Sequence, residues 1–211
     1  MNRQLGLGLI GIGRRWGHIP GEVPAEHEVQ ALLEYAVGLG VRYFDTAPSY
    51  GLSEERLGQF LQGLAPERRV ELTIATKFGE HWDTGADAPF VDHSYDALCR
   101  SLDRSMERLG RIDVLQLHKT TPAALASADV VRAWEYAESL GIRRLGPSLT
   151  DEESARMALA DGRFRMMQLP HNRSKPGFGP VIDAATARGV EVVTNRPFAM
   201  GAMLYDAADA G

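Results

Sequence analysis

The chain is poor in cysteine and contains no long apolar run. Cys99 is the only cysteine among its 211 residues, which excludes an internal disulfide framework and a cluster of thiolate metal ligands. No apolar stretch approaches the roughly 20 residues that a bilayer-spanning helix needs. The formal net charge of −5 gives no indication of a nucleic acid or an anionic membrane as partner.

The beginning of the chain is unlike a secretory leader. The apolar stretch from Leu5 to Gly13 is interrupted by glycines and is followed by Arg14 and Arg15, whereas a leader has an unbroken apolar region. We therefore expect a cytoplasmic protein. Its histidines show no recognisable metal-ligand spacing, and we predict no metal site.

Short apolar runs alternate along the chain with longer amphipathic stretches, a pattern typical of a parallel sheet wrapped by helices. Seven strands and six helices in strict alternation predict an α/β fold, a (β/α)8 TIM-type barrel incomplete at its eighth strand, as a single domain over residues 1–211. Strands are predicted at Leu7–Ile12, Val41–Phe44, Val70–Thr76, Asp113–Leu117, Arg143–Leu145, Met166–Leu169 and Val190–Thr194, and helices near residues 25–39, 53–62, 93–109, 122–140, 150–160 and 178–188.

The longest predicted loop, residues 80–92, follows the third strand, on the side where barrel enzymes keep their substrate loops. Trp16 and Trp82 lie in loops at this expected mouth, and we predict that they line an apolar substrate pocket. Trp134 falls in a helical pattern and is predicted to belong to the core.

Three polar residues end successive predicted strands. Asp45, Lys77 and His118 follow the second, third and fourth strands, so a parallel barrel brings them to one mouth, and Tyr50 follows Asp45 by one loop turn. Carbonyl reduction needs a hydride donor and a proton, and a phenol gives up its proton reluctantly at neutral pH. Since an ammonium group lowers a phenol's pKa and a carboxylate keeps that ammonium charged, we predict that Tyr50 is the proton donor. His118 would orient the substrate oxygen.

The same four groups are compatible with two other functions. Without a hydride donor, His118 could polarise a carbonyl while Tyr50 protonates a neighbouring atom, which is the chemistry of a cofactor-free lyase, dehydratase, isomerase or epimerase. A non-catalytic binding module is the third alternative. Each residue taken alone also has an ordinary structural explanation, and only their convergence indicates a site.

At these residues the chain resembles the aldo-keto reductase family. The stretch from Phe44 to Gly51, followed by Ser53-Glu54 and Leu57-Gly58, is similar to the family's first signature. Residues 74–79 and 113–118 resemble its lysine and histidine strands. The resemblance implies a barrel that uses NADPH or NADH to interconvert a small carbonyl substrate and its alcohol, with Tyr50 as the acid and Asp45, Lys77 and His118 in support.

On the cofactor side the resemblance implies that Ser148 and Gln168 contact the nicotinamide amide. Leu149 stands where the family has an asparagine, and Asn195 stands where it has an aromatic ring. Arg196 is expected to stack on the cofactor or to pair with one of its phosphates.

The resemblance fades after residue 201. The family's eighth strand and the segment behind it carry most contacts to the dinucleotide, and no such segment is recognisable in residues 202–211. We therefore expect a short member without the C-terminal cofactor-binding segment. Truncation, natural shortening with loss of the cofactor, and a homo-oligomer that covers the open edge of the barrel remain alternatives, as does the choice between NADPH and NADH.

Overall fold

The computed structural model describes residues 4–19 and 21–206. The single domain predicted over residues 1–211 includes residues outside these ranges at both ends. Within the described residues no helix is long and apolar enough to cross a membrane.

Nine strands are present in the described part of the chain, and seven of them coincide with the seven predicted strands. The other two, at residues 80–83 and 88–91, were not predicted. The strands are β1 (Gly6–Gly8), β2 (Tyr43–Asp45), β3 (Thr73–Phe78), β4 (Glu80–Asp83), β5 (Ala88–Val91), β6 (Val114–Leu117), β7 (Arg144–Pro147), β8 (Met166–Pro170) and β9 (Glu191–Asn195).

The predicted parallel α/β sheet is confirmed. Five strands pair in parallel in the order β1-β2-β3-β6-β7, and β8 pairs in parallel with β9. A parallel bridge between Ser148 and Gln168 joins the two groups, so all seven strands follow one another in chain order. The carboxyl ends of the seven strands therefore lie on one side of the sheet.

The six predicted helical regions are confirmed, with one division. The region predicted at 122–140 is two helices, because the extended backbone of Ser127 separates them. Short helices at residues 10–13, 66–70 and 202–206 were not predicted. The helices are α1 (Ile10–Gly13), α2 (Glu26–Gly38), α3 (Ser53–Gly63), α4 (Pro66–Val70), α5 (Tyr95–Leu109), α6 (Pro122–Ala126), α7 (Ala128–Ser139), α8 (Glu152–Ala160), α9 (Gly179–Ala187) and α10 (Ala202–Asp206), with a 3₁₀ turn at Ala199–Gly201.

The core lies between the helices and the sheet. In α5 the side chains of Leu98, Leu102 and Leu109 are buried at helical spacing. Trp134 of α7 is buried as predicted, and its ring lies 4.7 Å from that of Phe78. This apolar layer fixes the strands whose ends carry the polar residues.

The first strand is shorter than predicted. The pattern predicted a strand over Leu7–Ile12, but the ladder stops at Gly8 and α1 follows. A Cβ on Gly13 would lie 1.9 Å from the backbone oxygen of Tyr50, so this helical turn packs directly against the Tyr50 loop. The glycines therefore permit a close backbone approach rather than a longer strand.

The segment predicted as a loop at 80–92 is an antiparallel hairpin of β4 and β5. Its turn is closed by Asp83, whose carboxylate accepts hydrogen bonds from the backbone N–H groups of Gly85 and Ala86. The hairpin begins directly after Gly79, whose φ of 99° turns the chain out of β3. Glu80 is thereby placed beside the ends of β3 and β6.

Candidate active site

A buried ion pair lies at the carboxyl ends of β2 and β3. The Lys77 ammonium donates to Asp45 Oδ2 at 2.6 Å and to the backbone oxygen of Thr46 at 2.9 Å. Lys77 has no solvent-exposed surface, and burial alone would lower its pKa. The Asp45 carboxylate and the Tyr50 hydroxyl outweigh burial, so the pKa of Lys77 is raised and its ammonium stays charged.

Two amides hold the other oxygen of Asp45. Gln116 Nε2 on β6 donates to Asp45 Oδ1 at 2.8 Å, and Gln168 Nε2 on β8 donates to the same atom at 3.2 Å. Gln116 was not among the predicted site residues. The only signal for it was a polar residue inside the apolar strand VLQL, and its partner depends on strand register.

Tyr50 is held over this pair by the loop after β2. The Lys77 Nζ atom lies 4.9 Å from the centre of the Tyr50 ring. Burial raises the pKa of the Tyr50 phenol, Lys77 lowers it and Asp45 raises it, with a net increase. The predicted effect of Lys77 is therefore present but weaker than the effect of burial, and Tyr50 holds its proton at neutral pH.

His118 completes the predicted group. Its ring meets the Tyr50 ring edge to face at a centroid distance of 5.8 Å. Burial lowers the pKa of His118 well below its ordinary value, and the charges of Lys77, Lys119 and Arg14 add to this effect. The imidazole is therefore neutral at neutral pH. The structure thus brings all four predicted residues together.

Glu80 is a fifth ionisable residue at this group, and the sequence did not indicate it. Its side chain is only 5% exposed, and its Oε2 lies 3.0 Å from His118 Nδ1. Ser49 Oγ donates to the same oxygen at 2.7 Å, and Lys119 Nζ lies 3.2 Å from Oε1. Glu80 reaches this position only because residues 80–92 form a hairpin.

Two of the three residues predicted to contact a cofactor, Ser148 and Gln168, form a second cluster beside Asp45. Ser148 Oγ donates to Gln168 Oε1 at 3.1 Å, and Asn195 Nδ2 donates to the same oxygen at 3.0 Å. The Oδ1 atom of Asn195 is buried and has no hydrogen-bond partner among the described residues. Leu149 is fully buried, while Arg196 lies on the surface with a left-handed backbone.

The two predicted pocket tryptophans both lie close to one arginine. The guanidinium of Arg14 is 5.6 Å from the ring centre of Trp16 and 5.2 Å from that of Trp82. Trp82 also lines a cavity of about 1060 Å³ between the hairpin, α3 and α5, and Trp16 is not part of that lining. Asp45, Tyr50, Lys77 and His118 do not line this cavity.

The arrangement can move one proton at a polarised oxygen. Tyr50 carries the proton, Lys77 stabilises the phenolate left behind, and Asp45 keeps Lys77 charged. A neutral imidazole beside the phenol can hydrogen-bond the same oxygen. Acid–base chemistry of this kind serves both carbonyl reduction and alcohol oxidation when a hydride carrier is bound.

The sequence of the chain is similar to a known protein family and to known proteins. The family model of the aldo/keto reductase family matches residues 4–209. The D-threo-aldose 1-dehydrogenase of a Pseudomonas species is 34% identical over 203 residues, covering 79% of this chain and 58% of the relative. The NADP(+) aldo-keto reductase yakc of Schizosaccharomyces pombe is 25% identical over 207 residues, covering 93% of this chain and 58% of the relative.

The same family is found among solved structures. The PA4992 aldo-keto reductase of Pseudomonas aeruginosa superimposes with a TM-score of 0.77 at 30% identity, covering 90% of this chain and 71% of that protein. The chain thus spans 58% of the length of the two curated relatives described above.

Proposed function

The chain belongs to the aldo/keto reductase family, and we propose that it is an oxidoreductase that interconverts a small carbonyl compound and its alcohol with NADPH or NADH. The observation that carries the proposal is the convergence of Tyr50, Lys77, Asp45 and His118 at the ends of three neighbouring strands. One relative's name specifies an aldose 1-dehydrogenase, so sugars oxidised or reduced at C1 are the first substrates to test.

The residues beside Asp45 fit a nicotinamide carboxamide in part. Asn195 Oδ1 is a buried acceptor without a partner among the described residues, and a carboxamide N–H₂ would satisfy it. Ser148 keeps acceptor capacity, and one N–H of Gln168 remains after its bond to Asp45. Arg196 is exposed and could pair with a phosphate. When bound, the nicotinamide supplies or accepts the hydride; NADP is favoured by one relative's name.

The protein's own residues handle the proton. In reduction, Tyr50 donates its proton to the oxygen that becomes the hydroxyl, and Lys77 stabilises the phenolate. Asp45 prevents the buried Lys77 from losing its charge, and Gln116 and Gln168 fix the carboxylate that does so. In oxidation the same groups act in reverse. Trp16 and Trp82, whose rings both lie close to Arg14, would contact the apolar part of the substrate.

Three finer statements stay predictions. We propose that the seven parallel strands belong to a (β/α)8 barrel, in keeping with the structural relative. A homo-oligomer and a cytoplasmic location are expected from the sequence. The cofactor-free lyase or isomerase and the binding module receive no support from the relatives, whose names denote dehydrogenases and reductases.

The test begins with binding and turnover. Titration with NADPH and NADH should quench protein fluorescence, and aldoses or aldehydes should be turned over with the dinucleotide that binds. Tyr50→Phe should lower kcat by about 10²–10⁴ while leaving dinucleotide affinity within about threefold, because only the proton donor is lost. Tyr35→Phe is the matched control, since Tyr35 is an exposed tyrosine of α2. Turnover by Tyr50→Phe at the parent rate would refute the proposed role of Tyr50.

A further inference from the structure

The cavity between the hairpin, α3 and α5 has a positively charged lining, although the formal net charge of the chain is −5. Among the described residues that line it, the six arginines are Arg14, Arg15, Arg56, Arg100, Arg104 and Arg108. The three carboxylates are those of Glu55, Asp87 and Asp92. A concave surface with mainly one sign of charge raises the local concentration of ions of the opposite sign, so the cavity is suited to an anion.

Three of the six arginines already have acidic partners. The ion pairs are Arg15 with Glu22, Arg56 with Glu26, and Arg108 with Glu54 and Glu55. Arg14, Arg100 and Arg104 form no ion pair with any residue that the structure describes. Hydrogen bonds from Ser94 lower the pKa of Asp92, and the charge of Arg100 adds to this effect without a direct contact. Positive charge is therefore left over for a ligand.

Three of the arginines lie in a row on α5. Arg100, Arg104 and Arg108 are four residues apart, so they share one face of the helix, and the row extends over about 12 Å at roughly 1.5 Å of rise per residue. Like charges at this spacing destabilise a helix, and an anion beside the row would relieve their repulsion. The length of the row is enough for more than one anionic group.

Two buried polar atoms of the cavity lining have no hydrogen-bond partner in the part of the chain that the structure describes. They are Ser101 Oγ and Arg14 Nε. Ser101 is only 6% exposed and follows Arg100 on α5. A guanidinium N–H can only donate a hydrogen bond, and a hydroxyl can donate one. Because buried polar groups normally have partners, these donors indicate a ligand with acceptor oxygens.

We propose that this cavity is a second ligand site, which binds a small molecule carrying two phosphate groups beside the arginines of α5, with the Ser101 hydroxyl donating to one of the groups. Phosphate is favoured over carboxylate because the guanidinium fork binds phosphate oxygens in bidentate pairs. A phosphate group also carries about −1.5 to −2 charges at neutral pH. The site goes beyond the proposed oxidoreductase function and does not rest on it, since none of the four predicted catalytic residues lines the cavity.

Isothermal titration calorimetry of the full chain with pyrophosphate tests the site, in magnesium-free buffer at roughly 0.15 M salt. Pyrophosphate should bind roughly 10-fold more tightly than inorganic phosphate, because only two linked groups can engage two arginines of the row at once. Arg104→Gln and Ser101→Ala should each weaken pyrophosphate binding by roughly 10-fold or more, the loss expected for a hydrogen bond to a charged group. Arg156→Gln is the matched control, since Arg156 is an exposed arginine of α8 outside the cavity, and it should leave the affinity unchanged.

Three results would overturn the inference. The first is the absence of pyrophosphate binding, or equal affinities for pyrophosphate and phosphate. The second is an unchanged affinity in either cavity variant. The third is weaker binding in Arg196→Gln with no change in the cavity variants, because pyrophosphate would then occupy the proposed cofactor site.

Urea unfolding separates binding from folding. Without a ligand, Ser101→Ala should be at least as stable as the parent, since it removes a buried hydroxyl that has no partner among the described residues. Pyrophosphate at a fixed concentration should stabilise the parent more than Ser101→Ala, because a ligand stabilises the chain according to its affinity. A Ser101→Ala chain that is less stable than the parent without pyrophosphate would show a structural role for the hydroxyl and refute its role as a free donor.

Discussion

Replacing Lys77 by methionine should cost about 3–5 kcal/mol of unfolding free energy, because it breaks a buried ion pair and leaves one charge behind. The ammonium has no exposed surface and donates to Asp45 and to the backbone oxygen of Thr46. Methionine has a similar shape and fills the space, so the cost comes from electrostatics rather than from a cavity.

The magnitude follows from what remains at Asp45. Its side chain is 14% exposed and keeps the amide donors of Gln116 and Gln168 on Oδ1, while Oδ2 loses the Lys77 ammonium, its one donor among the described residues. Removing one partner of such a pair costs about 3–5 kcal/mol, and removing both charges with retained packing can be close to neutral. The double variant Asp45→Asn/Lys77→Met should therefore be more stable than the sum of the two single variants predicts.

Urea unfolding followed by circular dichroism measures these free energies. The matched control is Arg144→Met, which removes an exposed pair with Glu191 and should cost about 0–1 kcal/mol. If the unfolding free energy of Lys77→Met lies within about 1 kcal/mol of the parent value, as expected for the exposed control, then groups other than Lys77 compensate the charge of Asp45. The account of Asp45 as the group that keeps Lys77 charged would then be wrong.

Two further results are expected. Gly13→Ala should destabilise the fold by about 1–3 kcal/mol and lower kcat, because its Cβ would lie 1.9 Å from the Tyr50 backbone oxygen. Gly11→Ala is the control, since a Cβ at Gly11 meets only open space, and it should change neither stability nor kcat. Stability should also fall as the pH drops below the ordinary histidine pKa of 6.5, because the unfolded chain takes up a proton at His118 that the folded chain refuses. In His118→Gln, the free energy of urea unfolding should depend less on pH below 6.5. An unchanged pH dependence in His118→Gln would contradict the second expectation. A Gly13→Ala enzyme with the activity and stability of the parent would contradict the first.

Most of the fold was predictable because its pattern is local. The apolar spacing of α5 and the short apolar runs of the seven parallel strands are set by neighbouring residues, and all but the first strand appeared close to where the pattern placed them. The first strand was predicted too long because Gly6 to Gly13 is apolar and permissive. What ends it is the close approach of Gly13 to Tyr50, a contact 37 residues away along the chain.

The candidate site was predictable to the extent that it follows strand ends. Asp45, Lys77 and His118 converge because their strands are parallel neighbours, and sequence alone indicates that arrangement. Glu80 could not be found, since its contact with His118 depends on a hairpin whose turn looked like an ordinary loop. The bond from Gln116 to Asp45 depends on register and on which face of β6 is turned inward.

The strand register of β8 and the hydrogen bonding of the site both require Gln168 to face Asp45. β8 and β9 join the other strands through the bridge of Ser148 with Gln168, and Gln168 reaches Asp45 on β2 across the interior. A slip of β8 by one residue would turn Met167 or Leu169 toward Asp45 and bury the Gln168 amide on the opposite face without partners. The buried polar bonds thus select one strand pairing out of several that the apolar residues alone would permit, and that pairing is the one that keeps Asp45 fixed beneath Lys77.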